Sequence, residues 1–166
     1  SRADTRKNNQ TLLEAYGESS ALQEVANLLI VAGTRDDIRD LEEGAQTVLT
    51  DLLLGIDAYD LYGRVAMPKH LGQDQIGEVY RLAAEGGGVF VNPALTEPFG
   101  LTLLEAAASV LPLVATENGG PVDIIGNCEN GILVDPLDKG AIAEALLKLL
   151  TDARLYDRMR GNGVTR

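Results

Sequence analysis

Val91-Asn92-Pro93-Ala94-Leu95-Thr96-Glu97-Pro98-Phe99-Gly100-Leu101-Thr102-Leu103-Leu104-Glu105 runs from the end of an apolar, β-rich segment, through a loop marked by Pro and Gly, into a helical pattern. A strand, a loop and a helix in that order are the repeating step of open α/β sheets, whose ligands sit at the carboxyl ends of the strands. Outward from this stretch the step recurs. Apolar runs at 28–32, 64–67, 89–91, 113–115 and 132–134 read as strands. They lack a clean polar alternation, as strands covered on both faces do. Helical patterns lie between them at 9–17, 41–58, 74–84, 101–109 and 138–150, with one more near 153–160. In the run 138–150 the apolar residues fall at 142, 145, 146, 149 and 150, which is helical spacing. Gly33, Gly63, Gly86 to Gly88, Gly119-Gly120 and Gly131 punctuate the ends of these elements. The prediction is one α/β domain over residues 1–166, a Rossmann-like doubly wound parallel sheet with helices on both faces. Such a half begins with a strand whose end carries the first ligand loop. Here a helix comes first, so the domain is expected to lack its first strand.

Composition narrows the function classes. Hydrophobic residues make up 45% of the 166, aromatics only 4%, and Trp is absent, so the core must rest on Leu, Val, Ile and Ala. A formal net charge of -11 argues against nucleic acid and anionic lipid as partners, because neutralising their phosphates needs clustered Lys and Arg. Any phosphate must be held locally, by a few cations and helix N-termini. The single Cys128 excludes a disulfide framework and a multi-Cys metal site, and it fits a reducing compartment. No signal-peptide pattern occurs, and no apolar run reaches the roughly 20 residues of a membrane span. These features read as a soluble, cytoplasmic domain. A G-x-G-x-x-G fingerprint is absent, which argues against a dinucleotide cofactor.

The opening stretch also carries the chemistry. Gly100 lets backbone come close to a ligand, and the first helical N–H groups, on Gly100, Leu101 and Thr102, can point at an anion with the helix dipole behind them. Glu97 and Glu105 flank that turn. With one in the loop and one in the helix, they can address two parts of an extended ligand, and each carboxylate can accept two neighbouring hydroxyls. The residues alone leave a second possibility open, in which Glu97 supports the helix dipole and Glu105 is simply solvated.

The spacing of Glu97 and Glu105 resembles the E-x7-E motif of retaining glycosyltransferases with two facing Rossmann-like domains, the GT-B fold of glycosyltransferase family 4. More specifically, Phe90-Val91-Asn92-Pro93-Ala94, the Glu97 to Thr102 run, Ala115-Thr116-Glu117-Asn118-Gly119-Gly120-Pro121-Val122-Asp123-Ile124 and Leu133-Val134-Asp135-Pro136 are similar to the sucrose-phosphate synthase family. Arg35-Asp36-Asp37-Ile38, Tyr59-Asp60-Leu61-Tyr62-Gly63, Pro68-Lys69-His70 and Tyr80-Arg81-Leu82-Ala83-Ala84 continue the likeness over essentially the whole chain. The resemblance implies the C-terminal, donor-binding half of a two-domain enzyme. That enzyme would move glucose from UDP-glucose to fructose 6-phosphate with retention, and the acceptor would be held by an N-terminal domain. It implies that Arg2 and Lys7 bind the donor's diphosphate, that Glu97 bonds a glucose hydroxyl, and that Glu105 bonds the ribose. Backbone of Phe99, Gly100, Leu101 and Thr102 would meet the sugar and phosphates, Lys69 and His70 the nucleobase, and Gly119 and Gly120 the donor. No cofactor and no metal are implied. Sucrose synthase and other members of the same glycosyltransferase family are near alternatives, a sugar-nucleotide epimerase is a third, and a non-catalytic nucleotide-sugar module is the alternative of another class.

Overall fold

The computed structural model describes residues 3–165. A 3-10 turn, Thr5–Lys7, leads into α1 (Asn9–Gly17) and α2 (Ser20–Val25). Then come β1 (Leu28–Leu29), α3 (Glu43–Ala58), β2 (Val65–Ala66), α4 (Gln73–Glu85) and β3 (Phe90–Asn92). The order closes with α5 (Leu101–Ala108), β4 (Leu113–Thr116), α6 (Pro121–Cys128), β5 (Gly131–Val134), α7 (Lys139–Thr151) and α8 (Ala153–Thr165). Every strand pairs in parallel, so each connection must cross over, and helices supply the crossovers.

β4 shows why polar alternation is missing. All four of its residues are buried. Val114 packs with Leu13 of α1, Leu49 and Leu52 of α3 and Leu149 of α7. Leu113 and Ala115 pack with Leu103 and Ala106 of α5 and Ile125 of α6. Successive strand side chains point to opposite faces, so the two clusters are the two sides of one sheet. Helices cover both.

The structure departs from the sequence reading in several respects. α2 and α6 were not expected. α2 has six residues, too few to show a period, and is set by Ser19, whose side chain accepts from the Leu22 N–H. α6 starts on Pro121 at its first turn, a position that suits proline because no helical partner is lost there. The helix expected from 41 starts at Glu43, because Ile38–Asp40 forms its own 3-10 turn capped by Asp37. The two N-terminal strands are shorter than the apolar runs 28–32 and 64–67, and the sheet is not continuous. β1 and β2 form one pair, and β3, β4 and β5 form a separate triplet. Among the described residues, each of β1 and β3 has a strand on one side only.

α5 ends in a strained turn. Val110 has φ +67°, its N–H bonds the Ala107 carbonyl at 3.0 Å, and the Leu111 N–H reaches back to Ala106 at 3.2 Å. That pair of bonds is a Schellman cap, whose left-handed position favours glycine, and a β-branched residue there is an outlier. Val110→Gly is therefore expected to stabilise the chain by about 1 kcal/mol, read as a higher urea midpoint with an unchanged slope.

Candidate ligand-binding site

The site lies where β3 and β4 end. Asn92, the last residue of β3, is buried; its Oδ1 accepts from the Ala94 N–H at 3.1 Å, and its Nδ2 donates to Glu97 Oε2 at 3.2 Å. The other oxygen, Glu97 Oε1, accepts from the Gly100 N–H at 3.2 Å, and Lys7 Nζ stands 3.9 Å from Oε2. Burial pushes the Glu97 pKa up. The Asn92 amide, the Gly100 N–H, the Lys7 charge and the Phe99 N–H together outweigh that, and the carboxyl sits below its ordinary value. Glu97 is thus an anion at neutral pH, folded over the turn that starts α5.

The same loop is pinned from the other side. The Glu97 N–H donates to Asn118 O at 3.0 Å and the Gly120 N–H to Glu97 O at 2.7 Å, a short parallel bridge beyond the ends of β3 and β4. Gly119 has φ +105°, and a Cβ there would run into the Glu97 carbonyl. A Cβ on Gly120 would come within 2.9 Å of the Phe99 carbonyl. The two glycines therefore allow two protein loops to touch backbone to backbone. Gly119 and Gly120, expected beside the donor, lie against the backbone of Glu97 to Phe99.

Gly100, with φ +74°, caps α5, and its N–H is already taken by Glu97. Of the three N–H groups expected to face an anion, those of Leu101 and Thr102 remain at the helix start. Both residues are exposed, as is Phe99 at 77%. Glu105 lies one turn further along α5, also exposed; its charge, after burial, helps to raise the Tyr80 phenol. The two glutamates thus differ in kind. Glu97 is bound to the protein, and Glu105 is open to solvent and ligand.

Lys69 and His70 form a second group. Lys69 Nζ donates to the Asp36 carbonyl at 2.8 Å, and His70 Nε2 lies 2.9 Å from Asp36 Oδ1. Both stand in the loop after β2, joined to the loop after β1 and not to Lys7 or Glu97. Arg2 lies outside the described residues.

Sequence reasoning missed the residues that hold this arrangement in place. Asn8, in the left-handed region at φ 59°, donates its side-chain amide to the Pro93 carbonyl at 2.9 Å and the Pro136 carbonyl at 2.7 Å. It ties the ends of β3 and β5 together and sets the neighbouring Lys7. Asn118 donates to Leu95 O at 3.0 Å. Arg35 is buried, donates from Nη2 to Met67 O at 3.4 Å, and bonds Lys69 O through its N–H at 2.9 Å. It clips the loop carrying Lys69 and His70 to the loop after β1. Such roles have no period, and the only signal is that Asn tolerates left-handed backbone and bonds loop carbonyls.

A cavity of about 930 Å³ opens between β1 and β3 and reaches Lys7, Asn92, Glu97 and Thr102. Among the described residues, no helix is long and apolar enough to cross a membrane, and no group of three or more His, Cys, Asp or Glu is placed to hold a metal.

Comparison with known proteins bears on this geometry. The family model described as glycosyl transferases group 1 matches residues 1–166. A sucrose-phosphate synthase of Zea mays is 58% identical over 164 residues, which are 99% of this chain and 15% of that protein. The solved sucrose-phosphate synthase of Thermosynechococcus elongatus superposes with a TM-score of 0.79 at 30% identity, covering 98% of this chain and 38% of that one. HepE of Anabaena, solved with UDP and glucose, superposes with a TM-score of 0.82 at 19% identity over 99% of this chain and 41% of its own, a likeness of fold. The chain spans only 15% of the length of the Zea mays relative.

Proposed function

This chain belongs to the group 1 glycosyl transferases, and we propose that it is the donor-binding part of a retaining glucosyltransferase that makes sucrose 6-phosphate from UDP-glucose and fructose 6-phosphate. The observation that carries the reading is the convergence, at one sheet edge, of the Lys7 cation, the first N–H groups of α5 and the ionised Glu97. Identity of 58% to a sucrose-phosphate synthase supports the choice of donor and acceptor.

In this reading the donor's diphosphate lies against Lys7 and the Leu101 and Thr102 N–H groups, with Arg2 as a second cation. Charge that develops on the departing diphosphate meets fixed positive groups, and this stabilisation, with positioning, supplies the rate enhancement. Glu105 takes the ribose hydroxyls. One oxygen lone pair of Glu97 takes a glucose hydroxyl, while its bonds to Asn92 and Gly100 hold it still. Lys69 and His70 border the base, on the loop that Arg35 secures. The acceptor sugar phosphate belongs to another domain of the enzyme, so this chain alone binds donor without transferring glucose. Neither cofactor nor metal enters the reading, and the acidic surface with one cysteine suits the cytoplasm.

Calorimetric titration tests it. UDP-glucose should bind the wild-type chain, and Glu105→Ala should weaken binding about tenfold, the loss of one or two hydrogen bonds to hydroxyls (about 1.4 kcal/mol). Equal binding by the variant, or no binding of UDP-glucose at millimolar concentration, would overturn the assignment.

A further inference from the structure

Asn is followed by Gly three times, at Asn118-Gly119, Asn130-Gly131 and Asn162-Gly163. The amide carbon of an Asn side chain is an acyl centre, and the main-chain nitrogen of the next residue can attack it to close a succinimide ring. Gly hinders that attack least, because it has no Cβ to block the approach. By sequence the three pairs rank alike, and the fold separates them.

Asn130 is fully buried, and its carbonyl is tied to β4 by the Leu113 N–H at 3.1 Å. Water, which must open the ring, does not reach it. Asn162 lies within α8 and donates its side-chain amide to Glu129 O at 3.0 Å. The N–H that follows it is helical, committed to the carbonyl four residues back. Asn118 stands in the loop between β4 and α6 and is exposed, as is Gly119. The Gly119 N–H has no partner among the described residues. The carbonyl of the same peptide unit accepts from the Glu97 N–H at 3.0 Å. A donor on a peptide oxygen polarises the unit and makes its own N–H easier to deprotonate. The Asn118 side chain is held by one exposed bond, Nδ2 to Leu95 O at 3.0 Å, which water can replace.

We propose that Asn118-Gly119 is a self-modification site, at which Asn118 converts spontaneously to aspartate and isoaspartate and the Glu97 loop loses its anchor. The Gly119 nitrogen bonds Asn118 Cγ and gives its proton to solvent, while the Cγ–Nδ2 bond breaks and ammonia leaves. Water then opens the succinimide at either of its carbonyl carbons. One opening gives aspartate. The other gives isoaspartate, in which the main chain runs through Cβ and Cγ and the former main-chain carbonyl becomes a free carboxylate. That carbonyl is the acceptor for the Glu97 N–H. Isoaspartate therefore removes one of the two bridge bonds and lengthens the chain beside the other, from the Gly120 N–H to Glu97 O. Both products lose the amide that donates to Leu95 O and add a negative charge to the loop that touches Glu97. The anion-binding turn at the start of α5 loosens as the chain ages. Only the identity of the ligand that is then lost rests on the proposed function.

The test is to hold the wild-type chain at mildly alkaline pH and body temperature and to sample it over time. Cleavage after Glu117, Glu129 and Glu144 separates the three Asn-Gly pairs, and tandem mass spectra place each exchange of NH2 for OH. Asn118 should convert about tenfold faster than Asn130 or Asn162, which react only through local opening. An isoaspartate-specific methyltransferase should label the same peptide. As conversion proceeds, the urea midpoint should fall, and the converted chain should bind UDP-glucose about tenfold more weakly by calorimetry. Asn118→Gln closes a larger ring far more slowly, so when aged in parallel it should keep the midpoint and affinity with which it starts. Conversion of Asn130 or Asn162 as fast as Asn118, or a converted chain with the midpoint of the fresh one, would overturn the proposal. If the fresh chain fails to bind UDP-glucose, the donor assignment fails, and the peptide map and the midpoint still decide this one.

Discussion

Gly119→Ala is expected to be the most damaging single methyl group that can be added to this chain. At φ +105° an L-residue is strained, and the new Cβ would overlap the Glu97 carbonyl, which is backbone and cannot swing aside. The bonds from Glu97 N–H to Asn118 and from Gly120 N–H to Glu97 would open with it. The expected cost is about 3 kcal/mol of stability, seen as a lower urea midpoint. Affinity for UDP-glucose should also fall more than tenfold, because Glu97 and the start of α5 move together. Gly126→Ala is the control. Gly126 is helical in α6 and its Cβ would meet nothing within 4 Å, so alanine there should be neutral or stabilising by up to about 1 kcal/mol. If both variants unfold at the same midpoint, the loop-to-loop contact is not what the glycine serves.

Glu97→Ala should have the second-largest effect. It leaves the Asn92 amide and the Gly100 N–H without their acceptor, at a cost of about 1–3 kcal/mol, and it also leaves Lys7 without its anion. Donor affinity should drop about a hundredfold, or roughly 2.7 kcal/mol. Glu97→Gln is not a mild substitute. Both carboxylate oxygens accept hydrogen bonds, and a Gln would turn an NH2 toward one of the two donors. The effect should depend on pH in a defined direction. The folded-state pKa of Glu97 is lowered, so its stabilising contribution is complete above the unfolded value of about 4.3 and is lost as pH falls through the lower folded value. The stability gap between wild type and Glu97→Ala, measured by urea unfolding, should be flat above pH 5 and narrow below pH 4. A gap that widens on acidification would show that Glu97 is not held as an anion.

The strands and long helices were legible because burial on both faces and helical spacing leave a direct mark on composition along the chain. The apolar runs at 89–91, 113–115 and 132–134 became β3, β4 and β5, and the periodic run from 138 became α7. α2 stayed hidden because a single turn and a half has no period, while α6 was announced only by Gly120-Pro121. At the site, Lys7, Glu97, Gly100, Gly119 and Gly120 were singled out from sequence and do stand together. Their interactions are not written in the local pattern: the glycines meet the Glu97 loop, and Glu97 takes the Gly100 N–H expected to face an anion.

What the residues could say unaided was the order of the strands and long helices, the expectation of a ligand at the carboxyl edge of the sheet, and the pairing of a phosphate-sized helix start with two carboxylates. These follow from local pattern, because hydrophobic periodicity and turn chemistry act over a few residues. Three matters needed the folded chain: which carboxylate is held and which is open, how Asn8 and Arg35 secure the loops, and the split of the sheet around a cavity. Each depends on where groups far apart in sequence come to stand in the folded chain, as Asn8 against Pro136 or Arg35 against Met67. No local pattern records such a meeting.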